Sequence, residues 1–328
     1  MVPRGRASEE RRFNAIAVFN SSAICNAFVF EYRMTAGLDP LDRYLMNTLS
    51  KFAEAKHRGE KLVLVTCYDA LTARLVADAP IDAVLVGDSV AMAVHGHPDT
   101  IPADVPMMAL HTAAVRRGLG PQGFIVADLP FLAHRRGRST LMRAVERLVR
   151  AGANAVKLEG IDGSEADIRH VVQSGVPVMG HLGLTPQHLH ALGGFNVQGK
   201  SLEAAATLRD QATRLQDCGV FSLVIECVPS AVAVSITRLL MIPTVGIGAG
   251  AGCDGQILVI TDLLGLDSSF KPRFARRYAD AAGMVTKSLG SYAHDVRSGA
   301  FPSAAESFGA GSDSATATAA MQSAGTAS

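Results

Sequence analysis

Val84-Leu85-Val86-Gly87-Asp88, Ile125-Val126-Ala127-Asp128, Ala155-Val156-Lys157-Leu158-Glu159, Pro177-Val178-Met179-Gly180-His181, Leu223-Val224-Ile225-Glu226 and Val245-Gly246-Ile247-Gly248 are six short apolar runs, each closing on a polar or glycine terminus. Their ends recur 22 to 45 residues apart. A run without polar edges is the pattern of a strand buried on both faces, and each interval has room for a crossover helix, so the strands are parallel. Reactive side chains repeated at one strand end point to a (β/α)8 TIM barrel, an α/β fold whose chemistry sits at the carboxyl face. Outward from these runs, residues 62–66 supply a first strand and 257–260 an eighth. Helices are expected over 70–79, 106–117, 139–151, 164–175, 201–218 and 229–240, bounded by Pro80, Gly118, Gly152, Gly175 and Gly219, with Ser164 as an N-cap. An open doubly wound sheet is the alternative architecture. Gly246-Ile247-Gly248-Ala249-Gly250 gives it little support, because that run comes late and opens no clear helix.

The chain of 328 residues is 48% hydrophobic, enough for one large core and the size of a single barrel with tails. The expected division is an N-terminal extension over 1–44, probed by no strand and helix rhythm, a catalytic barrel over 45–307, and a disordered tail over 308–328 made almost entirely of Ala, Ser, Gly and Thr. Lys and Arg total 31 against 30 Asp and Glu, so no global field exists to hold nucleic acid or an anionic membrane, and a small-molecule partner is favoured. The five cysteines are odd in number and lack CxxC spacing, which fits a reducing, cytoplasmic setting rather than a disulfide framework or structural zinc. The longest apolar stretch, 13–30, is broken by Asn14, Asn20, Ser21, Ser22 and Asn26; it reads as an upstream extension, with Met34 or Met46 as an alternative start, rather than a signal peptide or membrane span.

Asp88, Asp128 and Glu159 end consecutive strands. Three carboxylates brought together repel unless a cation sits among them, and oxygen ligands of this kind suit Mg²⁺ rather than zinc. Taken singly, each has an ordinary reading as a cap or a loop ion pair. Lys157 lies two residues before Glu159, so both share one strand face, where the ammonium can hold a substrate carboxylate or oxyanion. A Schiff-base role is the rival, made redundant by a metal. His181 sits among glycines in Gly180-His181-Leu182-Gly183-Leu184-Thr185-Pro186-Gln187. Glu226 ends a buried strand, where partial desolvation makes a carboxylate a better general base; the plainer reading is an ion pair with Lys157 or an arginine. Cys227 has no activating base and reads as packing.

Thr66-Cys67-Tyr68-Asp69, Val86-Gly87-Asp88-Ser89, Ala127-Asp128-Leu129-Pro130-Phe131, Val156-Lys157-Leu158-Glu159-Gly160, the His181 octapeptide, Gly193-Gly194-Phe195-Asn196-Val197-Gln198-Gly199-Lys200, Glu226-Cys227-Val228-Pro229, and Ile247 to Gly250 through Asp254-Gly255-Gln256 together resemble the 3-methyl-2-oxobutanoate (ketopantoate) hydroxymethyltransferase family. The resemblance runs in order over about 46–308. It implies a barrel of the phosphoenolpyruvate/pyruvate type, a homodecamer, and a transferase of pantothenate and coenzyme A synthesis that uses Mg²⁺ and 5,10-methylenetetrahydrofolate. It further implies Asp88, Asp128 and Glu159 as the Mg²⁺ site, Asp88, Ser89, Asp128, Lys157 and His181 as substrate contacts, and Glu226 as proton acceptor. The chain departs from the family pattern at Ala79-Pro80, Val90-Ala91, His134 and Phe195, and none of these removes a presumed ligand or the base.

The chemistry that follows is removal of the C3 proton of a 2-oxo acid by Glu226, with an Mg²⁺-stabilised enolate attacking the folate-borne carbon. His134-Arg135-Arg136-Gly137-Arg138 could meet the folate's glutamate tail, with a solvated basic loop as the plainer reading. The alternatives are another Mg²⁺-dependent enolate lyase of the same barrel type and a specialised or inactive paralogue that binds a 2-oxo acid.

Overall fold

The computed structural model describes residues 40–267 and 272–308, with side chains from residue 49 onward. Residues 1–39 of the expected extension over 1–44, and residues 309–328 of the expected tail over 308–328, lie outside the described residues. Eight strands close a parallel barrel in sequence order: β1 Leu62–Thr66, β2 Ala83–Val86, β3 Ile125–Asp128, β4 Ala155–Glu159, β5 Val178–Gly183, β6 Ser222–Glu226, β7 Thr244–Ile247 and β8 Gly255–Leu258. Each pairs with the next in parallel, as β-branched and aliphatic runs buried on both faces require. The open doubly wound alternative is excluded by this closure.

The helices are α1 Pro40–Arg58, α2 Ala70–Ala77, α3 Val90–Ala93, α4 Val105–Leu119, α5 Arg138–Arg150, α6 Glu165–Gln173, α7 Leu189–Leu192, α8 Leu202–Asp217, α9 Ser230–Leu239, α10 Ile260–Leu264 and α11 Ala281–Ser298. Asp69 caps α2 by accepting from Thr72 N at 2.8 Å, Asp104 caps α4 from Met107 N at 2.8 Å, and Ser201 caps α8 from Ala204 N at 3.1 Å. Ser164 precedes α6 as expected but its side chain makes no capping hydrogen bond, and its hydroxyl is buried without a hydrogen-bond partner.

The helix ends shift by a residue or two from the sequence reading, and two larger differences bear on the barrel. Helix α1 begins at Pro40, inside the stretch assigned to the extension, and it delivers Phe52 into the base of the barrel. There Phe52 packs edge-on to Phe221 at 5.3 Å and beside Phe124 at 6.0 Å, the two rings that immediately precede β6 and β3. Below the site, Leu64, Val126, Met179, Val224, Val245 and Ile257 fill the interior with Phe52. Strand β8 starts at Gly255 rather than 257, and Ile260 already belongs to α10. The reason is contact with β1: a Cβ at Gly255 would stand 2.7 Å from both Leu62 Cβ and Leu62 O, so only glycine lets the last strand close on the first.

The alternation of the strands fixes what points inward. Ala155 of β4, Met179 of β5 and Val224 of β6 all lie in the interior cluster, and residues two apart share a face. Lys157 and Glu159, His181, and Glu226 therefore point inward one or two layers above. The chain divides into two compact parts, one ending at Ile257 and one beginning at Leu258. In the second part, α10 ends at Gly265 in the left-handed region, and α11 is capped by Asp280 and buries none of its side chains.

At the base of the barrel, the Asp254 carboxylate accepts from Thr244 N and from Lys56 Nζ, both at 2.8 Å, and so ties α1 to the β7–β8 turn. Asp254→Ala leaves Lys56 half-buried and Thr244 N unpaired. It is expected to lower the unfolding free energy by about 2–4 kcal/mol, read from urea or guanidinium midpoints.

Candidate active site

Register brings the polar strand ends together. Asp128 pairs with Lys157 across β3 and β4, Glu159 with His181 across β4 and β5, and Gly183 with Glu226 across β5 and β6. Parallel neighbours stand roughly 5 Å apart, so four adjacent strands present five ionisable groups to one small volume. Gly183 makes the last approach possible: its backbone is left-handed, and a Cβ there would fall 2.1 Å from Glu226 O.

Lys157 Nζ lies 2.9 Å from Asp128 Oδ1 and 3.9 Å from Glu159 Oε1. His181 bridges the next pair, with Nδ1 3.2 Å from Glu159 Oε1 and Nε2 3.2 Å from Glu226 Oε2. Asp88 joins from the β2–α3 turn, where its backbone N donates to Asp128 Oδ2 at 3.0 Å. Asp88, Asp128, Lys157, Glu159 and His181 are all buried, whereas Glu226 keeps 17% of its side chain open. The open carboxylate is the one that an incoming substrate can reach.

The charges set one another's proton affinities. Burial works against the Lys157 ammonium, but Asp128, Glu159 and Asp88 outweigh it and raise the amine above its ordinary value. A protonated amine is no nucleophile, so this environment suits anion binding better than a Schiff base. Burial and Lys157 likewise oppose charge on His181, yet Glu159 and Glu226 raise it to about 9, so it is an imidazolium near neutral pH. Burial raises Glu159, but His181 and Lys157 overcome this and leave it below its usual range. Asp88 is pushed well above its usual range by burial and by the charges of Asp128 and Glu159. Burial raises Asp128 too, with Lys157 pulling back.

Four carboxylates thus face two cationic side chains, and Asp88, followed by Asp128, resists ionisation most. This oxygen-only, under-neutralised pair of aspartates fits Mg²⁺, which takes one or two carboxylates and fills its remaining positions with water and substrate oxygens. Among the described residues, no three His, Cys, Asp or Glu side chains form a ready-made ligand set. Lys157 occupies the space between Asp128 and Glu159, so the expected three-carboxylate cluster is an aspartate pair with Glu159 one step removed.

Two residues here were absent from the sequence-based selection. Gln187, at the end of the His181 octapeptide, donates from Nε2 to Asp88 Oδ2 at 2.7 Å and to Leu129 O at 2.9 Å, while its backbone N donates to Glu159 Oε2 at 2.9 Å. It fastens Asp88 and Glu159 from the far side. Tyr68 forms a 2.8 Å hydrogen bond with Ser89, the expected substrate contact. Both sit in quoted motifs, but only the path of the loops reveals whom they touch. Of the basic loop after β3, His134 is buried, Arg135 donates to Asp162 O at 2.6 Å, and Arg138 pairs with Asp167 at 3.2 Å.

Gln187→Leu removes both side-chain donors at buried acceptors. It is expected to lower the unfolding free energy by about 2–3 kcal/mol, measured by chemical denaturation. His134 gives a pH prediction. Burial, with Arg135 and His188 beside it, lowers its affinity for protons to about 4, against 6.5 for an ordinary histidine. The unfolded chain therefore takes up the proton first, and the stability that neutral His134 contributes is lost as pH falls from about 6.5 to 4. His134→Phe should flatten that part of the stability profile; a profile superimposable on wild type would contradict the assignment.

The sequence matches the family model for ketopantoate hydroxymethyltransferase over residues 46–304. A protein of Bdellovibrio bacteriovorus named 3-methyl-2-oxobutanoate hydroxymethyltransferase is 50% identical over 263 residues, covering 80% of this chain and all of that protein. One of the same name from Legionella pneumophila strain Paris is 52% identical over 258 residues, covering 78% of this chain and 98% of the relative. Among solved structures, phosphonopyruvate hydrolase in complex with oxalate and Mg²⁺ superposes with a TM-score of 0.53 at 12% identity, covering 84% of this chain and 97% of that one. A 2,3-dimethylmalate lyase of the PEP mutase/isocitrate lyase superfamily gives 0.51 at 16% identity, covering 84% and 99%. At such identities the likeness speaks for the barrel alone.

Proposed function

The chain belongs to the ketopantoate hydroxymethyltransferase family, and on that premise we propose that it transfers a hydroxymethyl group from 5,10-methylenetetrahydrofolate to 3-methyl-2-oxobutanoate, giving 2-dehydropantoate for pantothenate synthesis. The observation that carries this reading is the chain of contacts from Asp128 through Lys157, Glu159 and His181 to Glu226, in which the terminal carboxylate alone stays open. Such an arrangement suits proton removal beside a carbonyl group.

Asp88 and Asp128, with Glu159 behind them, would hold Mg²⁺. The ion would supply Lewis-acid polarisation of the substrate's 2-oxo oxygen, which acidifies the C3–H bond. Glu226 takes that proton. His181 holds the Glu226 carboxylate in place through its 3.2 Å contact and anchors it to Glu159, so the base does not reorient during transfer. Lys157, kept charged by its carboxylates, stands by the substrate's developing negative charge. Ser89, steadied by Tyr68, is placed to donate to the substrate's carboxylate. The substrate carbon and the oxygen of water take the places of the folate's N5 and N10 on the methylene carbon: both carbon–nitrogen bonds break, and the C3 proton with one proton of water ends on the two nitrogens as tetrahydrofolate leaves. The one-carbon unit enters at the formaldehyde oxidation level, so no redox cofactor takes part.

No described helix is long and apolar enough to cross a membrane. Cytoplasmic residence and a homodecamer of this chain complete the proposal.

The assay is 2-dehydropantoate formation by the purified chain, with Mg²⁺ and methylenetetrahydrofolate each omitted in turn. Product should vanish in both omissions, and turnover of the 2-oxo acid without folate would favour a lyase. Glu226→Gln should abolish deuterium exchange at C3 of 3-methyl-2-oxobutanoate, followed by proton NMR, and retained exchange would remove Glu226 from the role of base.

A further inference from the structure

A second concavity leaves the carboxyl face of the barrel beside the site. It is a cleft of about 680 Å³ between the segment before α4 and the length of α5. Its inner wall is apolar, with Pro102 on one side and Pro130 and Phe131 on the other. Phe131 lies three residues beyond Asp128, so the apolar end begins at the rim of the reacting centre. The outer wall is cationic: Arg136, Arg143, Arg147 and Arg150 all line it.

Of these four arginines only Arg150 has a carboxylate partner among the described residues, Glu146, which also lines the cleft. Arg150 pairs with Glu146 at 2.8 Å, and Arg143 donates only to the hydroxyls of Ser139 at 2.7 Å and Thr140 at 3.1 Å. Among the described residues, neither Arg136 nor Arg147 has a carboxylate partner within 4.0 Å. With Asp104 turned to cap α4, the cleft holds a surplus of positive charge. Positions 143, 147 and 150 follow one face of the helix and extend roughly 10 Å along it. A guanidinium fork matches a carboxylate in two parallel hydrogen bonds, and a row of forks matches a row of carboxylates.

We propose that this cleft binds an oligo-γ-glutamate chain, the polyanionic tail of the folate co-substrate, with the ring that carries the tail lying against Pro130 and Phe131. The proposal rests on the folate reading above. It moves the contact from the His134 to Arg138 loop, most of which is buried or paired, to the arginine row of α5. One end of the cleft is apolar and is formed by Pro130 and Phe131, which follow closely on the polar end of β3, and the other carries the arginines of α5. A flat apolar group ending in several carboxylates fits both ends at once, and a single small anion fits only the second.

The test uses the full chain with Mg²⁺, an Arg143→Gln/Arg147→Gln double variant, and Arg209→Gln on α8 as a surface-charge control. Two probes are needed: a penta-γ-glutamate peptide alone, by calorimetry, and KM for mono- and pentaglutamyl methylenetetrahydrofolate. The expected results are binding of the peptide by wild type and control, and a KM for the pentaglutamate about five- to ten-fold below that of the monoglutamate. In the double variant both effects should vanish, and in wild type both should weaken with added salt. Arg143→Lys/Arg147→Lys should restore them partly. No peptide binding together with a KM ratio near one would overturn the proposal, as would full competition by equimolar inorganic phosphate or an unchanged double variant. If no folate supports turnover, the folate reading fails by itself, while the peptide titration still decides whether the cleft takes oligoglutamate.

Discussion

One buried ammonium organises this barrel's upper layer. Lys157 stands 2.9 Å from Asp128 and 3.9 Å from Glu159, with nearly all of its side chain removed from water. An isolated charge in such a place costs several kcal/mol, so the lysine and the carboxylates are mutually required. Remove the lysine and the acids repel; remove the acids and the lysine loses its proton. Everything beyond it is a consequence of sharing this charge: Glu159 can hold His181 because it is itself held, and His181 in turn orients Glu226.

The same balance is what supports the proposal of a divalent cation at this site. Lys157 and His181 offset two carboxylates. Glu226 sits at the open edge, where water solvates it, and Asp88 is left buried beside Asp128 with its ionisation opposed by burial and by its acidic neighbours. Gln187 eases this by one hydrogen bond but carries no charge. A dication restores neutrality and is itself an activator of a neighbouring carbonyl group. Electrostatic need and chemical use therefore coincide at one position.

Much of this was legible in the sequence, and the reasons are specific. Strand alternation is strict, so Lys157 and Glu159 had to share a face, and a terminal polar residue on an apolar run had to reach the carboxyl rim. Parallel order then made Asp128, Lys157, His181 and Glu226 neighbours. What could not be read was anything set by a loop. Gln187 reaches Asp88, 99 residues away, because the single 3-10 turn Pro186–His188 after β5 brings it to the carboxylates. Tyr68 reaches Ser89 for a similar reason. The start of β8 was missed because its signal is the absence of a side chain at Gly255, which matters only once Leu62 is known to lie against it. Helix α1 was not anticipated, because what holds it, the ring of Phe52 against Phe124 and Phe221, joins parts of the sequence far apart.

Everything turns on whether the buried aspartate pair takes up a divalent ion. Titration calorimetry of the metal-stripped chain with Mg²⁺, in the presence of 3-methyl-2-oxobutanoate, measures this directly. One ion per chain should bind in the wild type and none in an Asp88→Asn/Asp128→Asn variant that still unfolds cooperatively. Undiminished uptake by that variant would place the ion elsewhere and contradict the account.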